Sequence, residues 1–229
     1  MRHLPRVLFA LALFTVCPVG AQTYPPAFPR TNVTKLLETD RIVVWDVVWP
    51  KGQPTALHRH VYDQVGTYYQ TGGRIVTTPD GASRSTTTQV GALSTTRKGT
   101  THIEEGATDP PLRAVFIELK NETGSGQPEI VSNTPSVFAL GGRTPRLDDD
   151  RVLVWDVAWI RGAPGVESLY SRDTILVWLD KGTMRLTRQG GLPIVVDVAP
   201  GQIRRHSRGA IETAEAIAGS PRAMLFAFK

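Results

Sequence analysis

Asp40-Arg41-Ile42-Val43-Val44-Trp45-Asp46-Val47-Val48-Trp49-Pro50-Lys51-Gly52 recurs as Asp150-Arg151-Val152-Leu153-Val154-Trp155-Asp156-Val157-Ala158-Trp159-Ile160-Arg161-Gly162, with eight of thirteen positions identical at an offset of 110. The same offset pairs Asp63 with Asp173, Gly72 with Gly182, Gly91 with Gly201 and Gly99 with Gly209, so the copies stay collinear well past the opening block. Near the ends, Arg113-Ala114-Val115-Phe116 matches Arg222-Ala223-Met224-Leu225 with one residue lost. Self-similarity at a fixed offset marks a duplicated unit, here two copies of roughly 90 residues. Each copy reads as short strands. In the first these are Ile42 to Trp49, Asp63 to Gln70, Arg74 to Thr78, Gln89 to Leu93 and Ala114 to Leu119, separated by Gly, Pro and Asn/Asp turn signals. No ten-residue helical period competes with them. Short, evenly spaced strands predict an all-β chain with a sandwich or small barrel in each copy.

Working outward, Asn121 to Asp149 is rich in Gly and Pro and reads as the connector between copies. Gln22 to Arg30 carries three prolines and is expected to be an extended arm that straps across a neighbouring domain. Residues 1–21 read as a secretory signal peptide. Arg2, His3 and Arg6 form a basic start, Val7 to Val16 is apolar apart from Thr15, and Val19-Gly20-Ala21 supplies small residues for cleavage before Gln22. Ten apolar residues are too few to cross a bilayer core of about 30 Å. Phe14-Thr15-Val16 before Cys17 lacks the small residue expected beside a lipidated cysteine. A periplasmic or secreted location is therefore expected.

The 229 residues carry 26 Lys and Arg against 21 Asp and Glu, and one cysteine. Loss of the signal peptide removes Arg2, Arg6 and Cys17, leaving a mild basic excess of +3 and no thiol. That excludes a disulfide scaffold and suits an oxidising compartment. The densest basic run, Arg204, Arg205, His206 and Arg208, has no interleaved aromatics and reads as a solvated face, so no nucleic-acid partner is expected. Beyond the N-terminus no run approaches the roughly 18 apolar residues of a membrane span.

The mature chain has four histidines, and three, His58, His60 and His102, fall in the first copy. In an extended strand, positions i and i+2 share a face, so His58 and His60 converge while Arg59 points away. Continuing the alternation adds Tyr62, Gln64 and Tyr68 to that face, with Asp63 outward. His102, from a distant strand, is positioned to close the site from across a barrel interior.

These residues sit in a glycine-framed pattern. Gly52, five residues, His58-Arg59-His60, three residues, Gln64 and then Gly72 resembles the first cupin motif, with glutamine for the usual glutamate and the closing glycine one residue late. Gly91, five residues, Arg97, Gly99, two residues, His102, three residues and Gly106 resembles the second, with Arg97 for proline and Gly106 for asparagine. The mature chain is similar to a bicupin, two tandem double-stranded β-helix barrels. On this reading residues 22–120 are an N-terminal metal-binding cupin domain, 121–149 a linker and 150–229 a degenerate second cupin domain.

The resemblance implies that His58, His60 and His102 bind one divalent transition metal, with Gln64 at the fourth-ligand position. Gln64 is free to ligate through its carbonyl oxygen or to donate a hydrogen bond to substrate or water from outside the ligand set. Three neutral imidazoles leave the ion its full charge, which favours an anionic or oxygen-chelating small molecule at the open positions. Imidazole-rich sites suit several metals. Iron leads, with manganese, zinc or nickel as alternatives. The corresponding activities are an oxygenase, specifically a dioxygenase, or a non-redox lyase, isomerase or hydrolase; a non-catalytic binding module is the third reading. Tyr68 is a candidate gate or proton donor and Glu104, two residues beyond His102, a candidate general base. Barrel filling and a solvated loop are their structural alternatives. In the second copy the four ligand positions become Ser168, Tyr170, Thr174 and Glu212. That copy is expected to hold no metal and to cover the first barrel's sheet, while Trp45, Trp49, Trp155 and Trp159, matched in both copies, read as packing residues. His206 reads as a surface or loop histidine. A monomer, or else a homodimer, is expected.

Overall fold

The computed structural model describes residues 23–121, 128–138 and 144–229. The signal-peptide assignment of residues 1–21 lies outside the described residues, as does part of the connector. Those described form strands, turns and loops, with no helix among them.

The repeated block forms a strand in each copy, β2 (Ile42–Trp49) and β11 (Val152–Ala158). Apolar residues on both faces of a strand call for burial on both sides, and the alternation of side chains divides β2 between two cores. Val43, Trp45, Val47 and Trp49 point into the first barrel. Ile42 and Val44 point the other way, into a core shared with the second copy's Val152, Val154, Ile175 and Phe226. The second copy mirrors this, with Trp155 and Val157 facing its own interior.

In the first copy a five-stranded sheet orders β1 (Val33–Glu38), β2, β9 (Leu112–Leu119), β4 (Asp63–Gln70) and β7 (Leu93–Thr96). A four-stranded sheet orders β3 (His58–Arg59), β8 (Thr101–Gly106), β5 (Gly72–Thr77) and β6 (Ser83–Thr88). The second copy repeats both arrangements. One sheet orders β10 (Leu147–Asp148), β11, β18 (Arg222–Phe228), β13 (Thr174–Trp178) and β16 (Ile203–His206). The other orders β12 (Glu167–Leu169), β17 (Ile211–Gly219), β14 (Gly182–Arg188) and β15 (Ile194–Val198). The register preserves the offset of 110: His58 lies opposite His102, and Ser168 opposite Glu212. The result is two all-β barrels, as the strand spacing predicts.

Several elements differ from expectation. The expected strand Gln89–Leu93 is a turn, and the strand is Leu93–Thr96. Gly91 takes φ 80° and donates its N–H to the Tyr68 carbonyl while Ala92 N–H bonds Gln89 C=O, which closes a turn that glycine alone adopts readily. The polar strands β6 and β8 lack the apolar alternation that would have betrayed them. The N-terminal arm straps its own barrel, not a neighbour: Arg59 N–H bonds Pro25 C=O, Ala27 N–H bonds Arg59 C=O, and Phe28 is buried 5.2 Å from Trp45. The same strap recurs in the second copy, where Ser136 bridges to Leu169 and Phe138 stacks on Trp155 at 4.5 Å.

The two barrels join through reciprocal contacts, as a self-complementary interface requires. Arg41 reaches Asp173 at 3.5 Å, and its counterpart Arg151 pairs with Asp63, the counterpart of Asp173. Gly201 packs under the Tyr69 ring, where an added Cβ would come within 2.7 Å of it, and Gly91 packs likewise against Arg222. The shared core makes unfolding of one barrel expose the other. Phe226→Ala is expected to cost about 3–5 kcal/mol, and denaturant titration should show tryptophan fluorescence and far-UV signal falling together; separate transitions would show that the barrels fold independently.

Candidate metal centre

The site grows from β3 and β8. Period-two alternation in β8 turns His102, Glu104 and Gly106 inward, and all are buried. β3 ends at Arg59, yet the pleat continues, because His60 N–H bonds Thr100 C=O and Gly99 N–H bonds His60 C=O. His58 and His60 therefore share a face, and His102 stands on the adjacent antiparallel strand directly opposite His58, not across the barrel. Ring centroids are 5.5 Å apart for His58 and His60, 4.8 Å for His58 and His102, and 5.1 Å for His60 and His102.

One candidate ligand nitrogen from each ring falls within 4.8 Å of the others. His58 Nδ1 lies 3.0 Å from the Ala56 carbonyl, which fixes the proton there and leaves Nε2 as the free lone pair. That Nε2 is buried without a hydrogen-bond partner. His60 Nε2 and His102 Nε2 are 3.2 Å apart. Two imidazole ligands each about 2.1 Å from one ion are separated by roughly 3.0–3.4 Å. An orphaned buried nitrogen and a nitrogen pair at coordination spacing fit a divalent ion held by all three rings.

Glu104 organises the surroundings. It is buried, accepts from Arg30 Nη2 at 2.7 Å and Arg74 Nη1 at 2.5 Å, and takes a third hydrogen bond from Trp49 Nε1 at 3.1 Å. Its Oε1 is 3.7 Å from His102 Nε2. Burial alone would raise its proton affinity, but the two guanidiniums overcome that and hold the carboxyl well below the usual carboxylate range. Arg30 comes from the N-terminal arm, so this cluster also pins the strap, whose Phe28 stands edge-on to His60 at 6.4 Å.

Gln64 is buried on β4 with its Oε1 lacking a hydrogen-bond partner. It lies opposite Glu118 in the ladder. Glu118 is also buried, accepts from Trp45 Nε1 at 2.8 Å, and is raised in proton affinity by burial. Tyr68 is buried between Trp49 and Phe116, at 6.2 and 5.8 Å, with Arg74 near its ring. Asp63 is half-buried and bonds Arg151 and the Lys98 N–H.

Sequence reasoning missed Arg30, Arg74 and Glu118. For Glu118 a signal existed: in Ala114 to Leu119 it shares alternation parity with Ala114 and Phe116, a carboxyl on a core face. The pairing of Arg30 and Arg74 with Glu104 depends on contacts across 74 and 30 residues and left no local trace. His206, expected at the surface, is buried in the second barrel and stacks on Tyr170 at 3.7 Å. Arg204, expected on a solvated face, bonds the buried Glu212 at 2.5 Å.

Sequence comparison is silent: no family model matches, and no curated protein matches. Solved structures do match. AerE from Microcystis aeruginosa superposes with a TM-score of 0.62 at 10% identity, covering 87% of this chain and 94% of that one. A cupin 2 conserved barrel domain protein from Leptotrichia buccalis gives 0.54 at 11%, covering 86% and 88%. The chain has the cupin fold, in two copies. The Mn(II)-containing oxalate decarboxylase of Bacillus subtilis gives 0.53 at 13%, covering 86% and 72%. At these identities the likeness speaks for the cupin fold alone. Together with the imidazole cluster, it supports a divalent-metal site in the first cupin barrel.

Two predictions follow from the electrostatics. Replacing Glu104 by Gln leaves two buried guanidiniums without a carboxylate and should cost about 3–5 kcal/mol in chemical denaturation, whereas Glu105→Gln should stay within about 0.5 kcal/mol; equal effects would remove Glu104 from its central place. Burial pushes His102 down to about 4, and burial with the neighbouring His102 charge does the same to His60. An unfolded histidine titrates near 6.5. Between those values the unfolded metal-free chain binds more protons, so stability should be full above about pH 6.5 and fall as pH drops toward 4. A denaturation midpoint flat across that window would contradict this.

Proposed function

We propose that this chain is an exported cupin whose first barrel is a mononuclear metal-dependent enzyme acting on a small anionic, oxygen-chelating molecule, of oxygenase type with iron(II) as the ion. The observation that carries the reading is the pair of imidazole nitrogens 3.2 Å apart beside a third, orphaned one. His58, His60 and His102 would hold the ion, with the partnerless Gln64 carbonyl offered as a fourth donor. Bound there, a divalent ion supplies Lewis acidity toward an oxygen donor and, as iron, redox chemistry with dioxygen.

The remaining work falls to the chain's own residues. Arg30 and Arg74 carry two positive charges against the single charge of Glu104, so the cluster beside the imidazoles is net cationic and favours an anion. Glu104, saturated by its two arginines, is suited to orienting them and not to taking a proton. Phe28, edge-on to His60, gives the imidazoles an aromatic neighbour, and Tyr68 packs on Trp49 and beside Arg74 of the Glu104 cluster. Export rests on the basic and apolar start of the sequence, which would place the enzyme in the periplasm or outside the cell, with a monomer as the working unit.

Elemental analysis of the anaerobically purified mature chain tests the reading. About one divalent ion per chain is expected, lost in His58→Ala, His60→Ala and His102→Ala and weakened in Gln64→Ala. A chain that purifies and remains metal-free after incubation with iron, manganese, zinc and nickel, or ligand variants that retain the ion, would overturn it. Oxygen uptake with small carboxylates separates the chemistries: turnover with zinc under nitrogen would replace the oxygenase by a non-redox lyase, isomerase or hydrolase.

A further inference from the structure

The second barrel has its own interior chemistry. Where the first copy places His58, Arg74 and Glu104, the offset of 110 places Ser168, Met184 and Ala214, so the charged cluster is replaced by smaller or apolar groups. Met184 is packed into the core, but beside Ser168 and Ala214 the space stays open. A cavity of about 220 Å³ opens beside β17, walled by Val157, Trp159, Pro164 and Ala214 and reaching solvent past Ile160 and Val166, which are 71% and 50% exposed. An apolar cavity of about 150 Å³ in another protein suffices to take up benzene.

The inner end of this cavity is polar. Ser168, Tyr170 and Glu212 line it, the residues standing where the first copy has its three histidines. Glu212 is buried, and its Oε2 accepts from Arg204 at 2.5 Å with Arg188 at 3.9 Å. Its Oε1 lies 4.0 Å from His206 Nε2, beyond hydrogen-bond reach. The Ser168 hydroxyl donates to the Val166 carbonyl at 2.9 Å, which leaves its oxygen able to accept. Acceptors with room for a donor therefore face an apolar chamber. Because Arg204 and Arg188 already balance Glu212, and Arg185 pairs at 2.9 Å with Glu215, the other carboxylate lining the cavity, the chamber presents no net negative charge to attract a cation, and a neutral hydroxyl is the better complement.

We infer that the second barrel is a separate, metal-independent binding site for a small neutral molecule with an aromatic or alicyclic body and one hydroxyl, seated with that hydroxyl on Glu212 and Ser168. The hydroxyl donates to the Glu212 oxygen that Arg204 does not engage, and the ring displaces water from the apolar walls. The ligand packs against Trp159, which gives the site a built-in optical probe. This site does not depend on the first barrel's metal.

The test titrates the full mature chain with p-cresol, reading tryptophan fluorescence and thermal stability, with toluene as the comparison. Saturable binding is expected, with p-cresol about tenfold tighter than toluene. Ala163→Trp, a substitution at the exposed rim that should leave the fold intact, is expected to abolish binding. Glu212→Gln should weaken p-cresol at least fivefold while leaving toluene unchanged. His102→Ala, which strips the first barrel's proposed metal ligand, should leave binding intact, so failure of the metal reading would not imitate failure here. Absence of saturation, equal affinity for p-cresol and toluene, unaltered binding in Ala163→Trp, or loss in His102→Ala would each overturn the inference. So would sedimentation showing that the rim is covered by a second copy of the chain and that p-cresol does not compete with it.

Discussion

The structure depends on one constraint, the burial of both faces of a single strand type. In β2 and β11 one set of alternating side chains fills a barrel and the other set meets the sister barrel. Neither barrel alone could cover Ile42, Val44, Val152 and Val154, and exposing such a sheet face would leave a large apolar patch of the kind that drives association. Duplication solves this within one chain. The reciprocal pairs Arg41 with Asp173 and Arg151 with Asp63 then fix the register of one sheet on the other without supplying most of the attraction.

With the outer faces committed to each other, the interiors are free to diverge, and they have done so electrostatically. The first barrel gathers Arg30, Arg74, Glu104 and three imidazoles in a space where an unpaired charge would be prohibitive. The two arginines balance the charge of Glu104, though Arg30 Nε and Nη1 and Arg74 Nε stay buried without a hydrogen-bond partner. The imidazoles are kept neutral by burial, which makes them the right form to ligate an ion and leaves at least one nitrogen needing a partner. The N-terminal strap belongs to this arrangement, because Arg30 ties its end to the same carboxylate that borders His102.

Much of this was legible in the sequence for a simple reason. Period-two alternation and fixed glycine positions are local properties, so β2 and β4, the duplication, and the shared face of His58 and His60 could be read from the residues themselves. Gly91 misled for the same local reason: set within apolar neighbours it read as part of a strand, while its left-handed conformation makes a turn. Glu104 needed more than parity. Its inward direction follows from His102, but what neutralises it comes from the arm and from β5, and no spacing rule encodes that meeting. His206 failed likewise, since a basic run reads as solvated until the fold shows Glu212 and Tyr170 waiting inside.

The comparison between the copies carries a further step. Trp45 and Trp155 occupy equivalent places, yet Trp45 donates to Glu118, whereas the ladder sets Ala227 at the corresponding position and leaves Trp155 Nε1 without a partner. A buried indole N–H left unpaired costs free energy that a fully optimised hydrophobic barrel would not carry. The stacking of Trp155 on Phe138 holds the indole in place although this barrel offers its N–H no carboxyl. Between the copies the charged groups are relocated and not merely removed: Arg74 and Glu104 correspond to Met184 and Ala214, while Ser94, Thr96 and His102 correspond to Arg204, His206 and Glu212. The hollow opens where the smaller Ala214 stands in place of Glu104, beside a Glu212 whose charge is met by Arg204 from the neighbouring sheet.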